Sequence, residues 1–190
     1  MASRVRHYTG IDLAAMPIEI ANKMELPNVT FKQGDGGELP FSAGSFDAVF
    51  ACDVFSNFPS FDDVKPLLME MVRVARKGGR VMAASITDAE QSEAFQRHVY
   101  EISARLDKEF GAPPIPPTRR HNPFRNLIRT VRGLPTPPSG QASITNYNFF
   151  KRDFEIFAEE NDLSIKIRDV HGLNPYRGYR FNVIFTKMNP

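Results

Sequence analysis

Between residues 8 and 90, short apolar runs alternate with amphipathic stretches, and this alternation constrains the fold more than any other feature. Residues 8–12, 29–33, 46–52 and 80–85 read as strands of a half-buried or buried kind. Residues 16–24 place Ile18, Ile20, Ala21 and Met24 near helical spacing, and residues 64–76 put Leu67, Leu68, Met71, Val72 and Val74 on one helical side. Strands separated by helices need crossovers, and crossovers make a parallel sheet. Arg76 and Lys77 are expected in the last turn of the second helix, where cations suit the dipole, with Gly78-Gly79 as its left-handed cap. Residues 151–160 supply one more helix. Residues 164–170 and 180–187 then read as an antiparallel hairpin closing one sheet edge. The expected class is α/β, a Rossmann-like, doubly wound and mostly parallel sheet ending in that hairpin.

Composition narrows the function classes. With 190 residues the chain suits one domain and can bury a core without staples. One cysteine, Cys52, excludes an intrachain disulfide and a Cys-rich zinc site. A net charge of +2 is too near neutral to point to nucleic acid. No apolar run is long enough to span a membrane, and the first seven residues lack the apolar stretch of a signal peptide, so a cytoplasmic setting is the default.

Four segments carry a more specific signal. Gly10-Ile11-Asp12-Leu13, Gly34-Asp35-Gly36-Gly37-Glu38-Leu39-Pro40-Phe41, Ser45-Phe46-Asp47-Ala48-Val49 and the run from Glu70 to Arg80 follow one another in order. Together they resemble class I S-adenosylmethionine-dependent methyltransferases of the small-molecule type. The resemblance is close over residues 8–86 and looser at the C-terminal helix and hairpin. It implies S-adenosylmethionine as cofactor and a small-molecule methyl acceptor. It gives Asp12, with Leu13 beside it, the ribose hydroxyls, and gives Asp35 and Gly36 the adenine. Cys52 borders the methionine part, followed by Asp53. Each residue also has a plainer reading: Asp12 as a helix N-cap, Asp35-Gly36 as an Asp-Gly turn, Cys52 as a small buried apolar residue. Glu70, Arg73 and Lys77 are expected to stabilise the helix and its junction with the next strand. Where the family often has Ala, this chain has Gly36, which should loosen the loop.

One departure is larger. The family's glycine-rich loop precedes the ribose acid by about 20 residues, yet only 11 residues precede Asp12. The first strand, its loop and its helix are therefore expected to be missing, as in an N-terminally truncated frame. That strand is central in the family. Its loss would leave two strand edges that close on each other, recruit another chain or fold poorly, so self-association through an open sheet edge is an expectation.

Residues 91–144 read as a lid insertion. Residues 91–110 have helical spacing. Residues 111–140 hold 8 of the 15 prolines and five arginines, without an Asp or Glu. The arginines suit an anionic group on a substrate or form a solvated basic loop. His7, His98, His121 and His171 share no metal-ligand spacing. Of these, His98 and His121 are the better general-base candidates, and no catalytic residue is assigned. Asn174-Pro175-Tyr176 reads as a turn. The alternatives to an enzyme are a non-catalytic methyltransferase-like binding or scaffold protein and a nucleotide-binding α/β domain of another class.

Overall fold

The computed structural model describes residues 5–111 and 148–188. Strand β1 (Tyr8–Asp12) leads through a two-residue turn into helix α1 (Ala15–Asn22), and β2 (Val29–Gln33) returns beside β1 in parallel. Strand β3 (Phe46–Cys52), helix α2 (Phe61–Val74) and β4 (Ala75–Thr87) form the next crossover unit, again parallel. Helix α3 (Ser92–Phe110) follows, then α4 (Lys151–Glu160), β5 (Leu163–Asp169) and β6 (Arg180–Lys187). Strand β6 lies antiparallel between β4 and β5, so the expected hairpin does close an edge. Asn174-Pro175-Tyr176 is the expected turn: Asn174 Oδ1 accepts the Tyr176 N–H at 2.8 Å.

The sheet is divided. One sheet holds β1 and β2, the other runs β3-β4-β6-β5. The edges of β1 and β3 do not close on each other as a ladder. They meet through side chains: the Tyr8 and Phe50 rings lie 6.0 Å apart, and Arg6 is near enough to Asp47 to act on its carboxylate. These contacts pair the start of β1 with β3 in the same direction. Asp12 and Cys52 therefore sit at the same end of the molecule.

The core belongs to the second sheet. Among the described residues nothing before Phe55 is buried. From there α2 contributes Val64, Leu68 and Met71, α4 contributes Phe154 and Phe157, and β6 contributes Phe181, Val183 and Phe185. Phe55, Phe61, Phe149 and Phe154 pack mostly edge to face with centroids 5.0–6.3 Å apart. This geometry suits the ring quadrupoles. Helix α1 has no buried residue; Met16 and Ile20, one helical stripe, and Met24 just beyond its end are mostly exposed.

Two local expectations fail. Helix α2 starts at Phe61 because Ser60 caps it, its Oγ accepting the Asp63 N–H at 3.2 Å. The helix ends at Val74 because Ala75 already pairs with Phe46. Arg76 and Lys77 thus lie in β4, not in a helical turn, and Arg76 binds Asp47 at 2.6 Å. Gly78 does take a positive φ of 68°, yet it serves an irregularity of β4, where the partner of β3 jumps from Ala75 to Arg80.

Candidate functional site

The C-terminal ends of parallel strands form the natural crevice of such a sheet, since the loops there are free to differ. Asp12 ends β1 and pairs with Gln33 at the end of β2. One residue on, the Gly34 N–H donates to the Asp12 carbonyl at 2.9 Å. The acid of β1 and the loop of β2 are thereby neighbours at one end of one sheet.

Asp12 is exposed. Its Oδ1 accepts the Ala14 N–H at 2.8 Å, which turns the chain into α1. The plain reading of Asp12 as a helix-entry residue is thus realised by a bond to Ala14, two residues on, while the helix's own N-cap, Ala14, has no side-chain cap. Only one carboxylate oxygen is used in this turn. Leu13 is half-buried, and its carbonyl accepts the Gln33 side-chain amide at 3.0 Å. The turn from β1 to α1, Leu13-Ala14, holds no glycine.

The loop after β2 is built by its own carboxylate and by α2. Asp35 Oδ1 accepts the Gly37 N–H at 2.8 Å, and the Glu38 N–H donates to the Asp35 carbonyl at 3.1 Å. The Asp-Gly turn is therefore present. A Cβ on Gly36 would lie 2.8 Å from the Leu67 methyl of α2. Glycine stands there because the loop is pressed onto the helix, and the loop is tied down rather than loosened. The ties are explicit. Glu70 Oε2 accepts the Leu39 N–H at 2.7 Å. Arg73 donates to the carbonyls of Leu39 at 2.9 Å and Phe41 at 2.8 Å, and grips both oxygens of Glu70. The hydrogen bond from Arg73 holds the Glu70 carboxyl below its usual value; burial opposes it and the Leu39 N–H adds to it. This pair was expected to stabilise the helix and its junction with β4. It does bridge within α2 at i,i+3 spacing, and beyond the helix it clamps the 39–41 backbone.

Cys52 ends β3 and is exposed, which corrects the reading of it as a buried apolar residue. Ala48 and Phe50, which alternate with it along β3, are exposed as well. Asp53 follows with φ 58°, and Ser85 on β4 has φ 61°. Arg180 reaches both side chains. The sequence reading missed Arg180, because its partners lie 95 and 127 residues away.

The histidines divide. His98 of α3 meets the Pro175 carbonyl with Nε2 at 2.7 Å and stacks on Tyr179, which joins α3 to the β5–β6 turn. His7 Nε2 lies 3.3 Å from the Thr30 hydroxyl, and His171 Nδ1 accepts the Leu173 N–H at 3.2 Å. His121, the five arginines and most of the lid insertion lie outside the described residues. Among the described residues no group of three metal-ligating side chains occurs, and no helix is long and apolar enough to cross a membrane.

Comparison with known proteins bears on the fold and the family. Residues 1–83 match the family model described as a methyltransferase domain. A ubiquinone/menaquinone biosynthesis C-methyltransferase of Allorhizobium ampelinum is 28% identical over 156 residues, covering 80% of this chain and 58% of that protein. The phthiotriol/phenolphthiotriol dimycocerosates methyltransferase of Mycobacterium leprae is 39% identical over 83 residues, 42% of this chain and 28% of that one. The chain thus spans well under two thirds of the curated relatives it matches. Among solved structures, a SAM-dependent methyltransferase of Methanosarcina mazei superposes with a TM-score of 0.60 at 14% identity, over 99% of this chain and 85% of that one. A geranyl diphosphate methyltransferase in complex with SAM superposes at 0.52 with 12% identity, over 96% and 69%. These likenesses establish the fold.

Proposed function

We propose that the chain, whose residues 1–83 match a methyltransferase domain, is a class I S-adenosylmethionine-dependent methyltransferase that binds the adenosine of its cofactor across the ends of β1 and β2 and serves methyl transfer to a small molecule. The observation that carries this reading is the contact of the two acidic turns: Gly34 N–H on the Asp12 carbonyl, with Asp35 next in sequence. The donor set fits the ligand. Asp12 spends one oxygen on its own turn and leaves the second for vicinal hydroxyls. Asp35-Gly36 stands next to that contact, in a loop that Glu70 and Arg73 hold in place. Leu13 offers an apolar shoulder, and the exposed Cys52 thiol borders the space beyond.

When bound, S-adenosylmethionine supplies an electrophilic sulfonium methyl. The chain's own residues then have two tasks: to orient the partners in line and to exclude water. The acceptor is a small molecule.

Calorimetric titration with S-adenosylhomocysteine tests the reading, with NAD as the control nucleotide. Saturable heat with the first and none with the second is expected. Heat with NAD alone would move the chain to another nucleotide-binding class. A second reading, a non-catalytic methyltransferase-like binding protein, draws on the divided sheet and on the absence of buried residues before Phe55 among the described residues. No heat with either ligand at millimolar concentration favours it.

A further inference from the structure

We propose that Asp53 is the seat of the methyl acceptor, that it takes a hydrogen-bond-donating group such as a protonated amine or a hydroxyl, and that Arg180 is its positioning residue. The proposal deepens the methyltransferase reading and rests on it for the word acceptor.

Asp53 and Ser85 stand at the C-terminal ends of adjacent parallel strands, β3 and β4. Both are non-glycine residues in the left-handed region, at φ 58° and 61°. Such strain persists where the surroundings over-determine it, and it gathers at functional sites. Here the surroundings do over-determine it. The Asp53 N–H donates to the Ala84 carbonyl at 3.1 Å, and the Ser85 N–H donates to Asn182 Oδ1 at 2.9 Å. One nitrogen, Arg180 Nη1, then donates to Asp53 Oδ1 at 2.9 Å and to Ser85 Oγ at 2.8 Å.

Arg180 is itself fixed. Its side chain is 14% exposed and its guanidinium lies 4.7 Å from the Tyr176 ring centroid and 5.5 Å from that of Phe95. Its Nε is enclosed without an acceptor, so the rings are what faces it. A guanidinium held this way is a fixed fork, unlike the flexible ammonium of a lysine. Asp53 is the opposite: its side chain is 61% exposed. An ion pair serving the fold alone gains little from one partner that water surrounds. This pair instead presents a carboxylate outward, with Oδ1 committed to Arg180. That carboxylate lies at the same end of the molecule as Asp12 and Asp35. A second carboxylate arriving there would be repelled, whereas an N–H or O–H would be received.

The test uses three probes of one shape, phenethylamine, 2-phenylethanol and phenylacetate, measured by ligand-observed NMR at millimolar concentration on the full chain. The expected order of binding is amine, then alcohol, with no phenylacetate binding. Asp53→Asn keeps the Oδ1 acceptor for Arg180; it is expected to leave the melting temperature in place and to weaken the amine at least tenfold. Arg180→Met should weaken the amine, and Arg180→Lys should restore part of the loss. Phenylacetate binding as well as the amine, no binding of any probe, or an amine affinity unchanged in Asp53→Asn overturns the proposal. Titration with S-adenosylhomocysteine is run beside it. Amine binding that depends on Asp53 without nucleoside binding would sink the methyltransferase reading and spare this seat; the reverse result would sink the seat alone.

Discussion

Replacing Asp12 by asparagine separates its two roles. The Ala14 N–H needs only an oxygen acceptor, and asparagine supplies one as well as aspartate does. The turn into α1 is therefore kept, and the melting temperature should not move. The second oxygen becomes an amide nitrogen, which donates where ribose hydroxyls also donate. A hydrogen bond to a charged acceptor contributes about 1.5–3 kcal/mol. Losing that range weakens S-adenosylhomocysteine binding roughly 10- to 150-fold.

Calorimetry gives the affinity and a thermal melt gives the stability. Asp12→Ala serves as the second variant, since it removes the turn bond too and should lower stability by about 1 kcal/mol. If Asp12→Asn binds the nucleoside as tightly as the parent, Asp12 is a turn residue and nothing more. A melt that falls in Asp12→Asn with affinity intact would refute the argument from the other side.

Other expectations follow from the same geometry. Arg73→Met frees the carbonyls of Leu39 and Phe41, so nucleoside affinity should fall several-fold while the core melts as before; calorimetry and near-ultraviolet circular dichroism check the two halves. Glu70 is held below its ordinary value of 4.5, so its contribution to stability is present above that value and is lost as pH falls through the lower folded one; Glu70→Gln should flatten the acid limb of the stability curve below pH 4.5. Phe149→Ala, at a ring that is fully buried, should cost about 3–5 kcal/mol in a urea melt. Gly79→Ala would put a Cβ 2.7 Å from the Arg76 carbonyl, a backbone atom with little room to yield, and should cost about 1–3 kcal/mol in the same assay.

Much of this was legible in the chain because strands here are short, apolar and bounded by glycine or acid. β1, β2, β3 and β6 have the limits their patterns suggest. What misled was the run Arg76-Lys77-Gly78-Gly79, whose charges and glycines match a helix end so well. A pairing of Ala75 with Phe46, 29 residues earlier, decides the matter, and no local pattern reports it. The same holds at the site. Asp12 ends β1 and Asp35 lies in the loop just after the adjacent β2, where a motif can find them. Arg180 meets Asp53 and Ser85 only through the sheet order β3-β4-β6, which sets three distant strand ends side by side.

The placement of the two acidic turns also says where their rigidity comes from. The β1-α1-β2 unit that carries Asp12 and Asp35 has no buried residue of its own among those described. A unit without a core cannot hold a loop to the tolerance that ligand alignment needs. The loop after β2 is instead fastened to α2 by Glu70, Arg73 and the contact of Gly36 with Leu67. Leu67 and Leu68 are in turn locked in the core of the second sheet. The proposed nucleoside end of the crevice is thus positioned by the same packed layer that presents Asp53 and Arg180, and the exposed stripe of α1 contributes nothing to it. Affinity for the nucleoside should consequently follow the integrity of α2 and not that of α1.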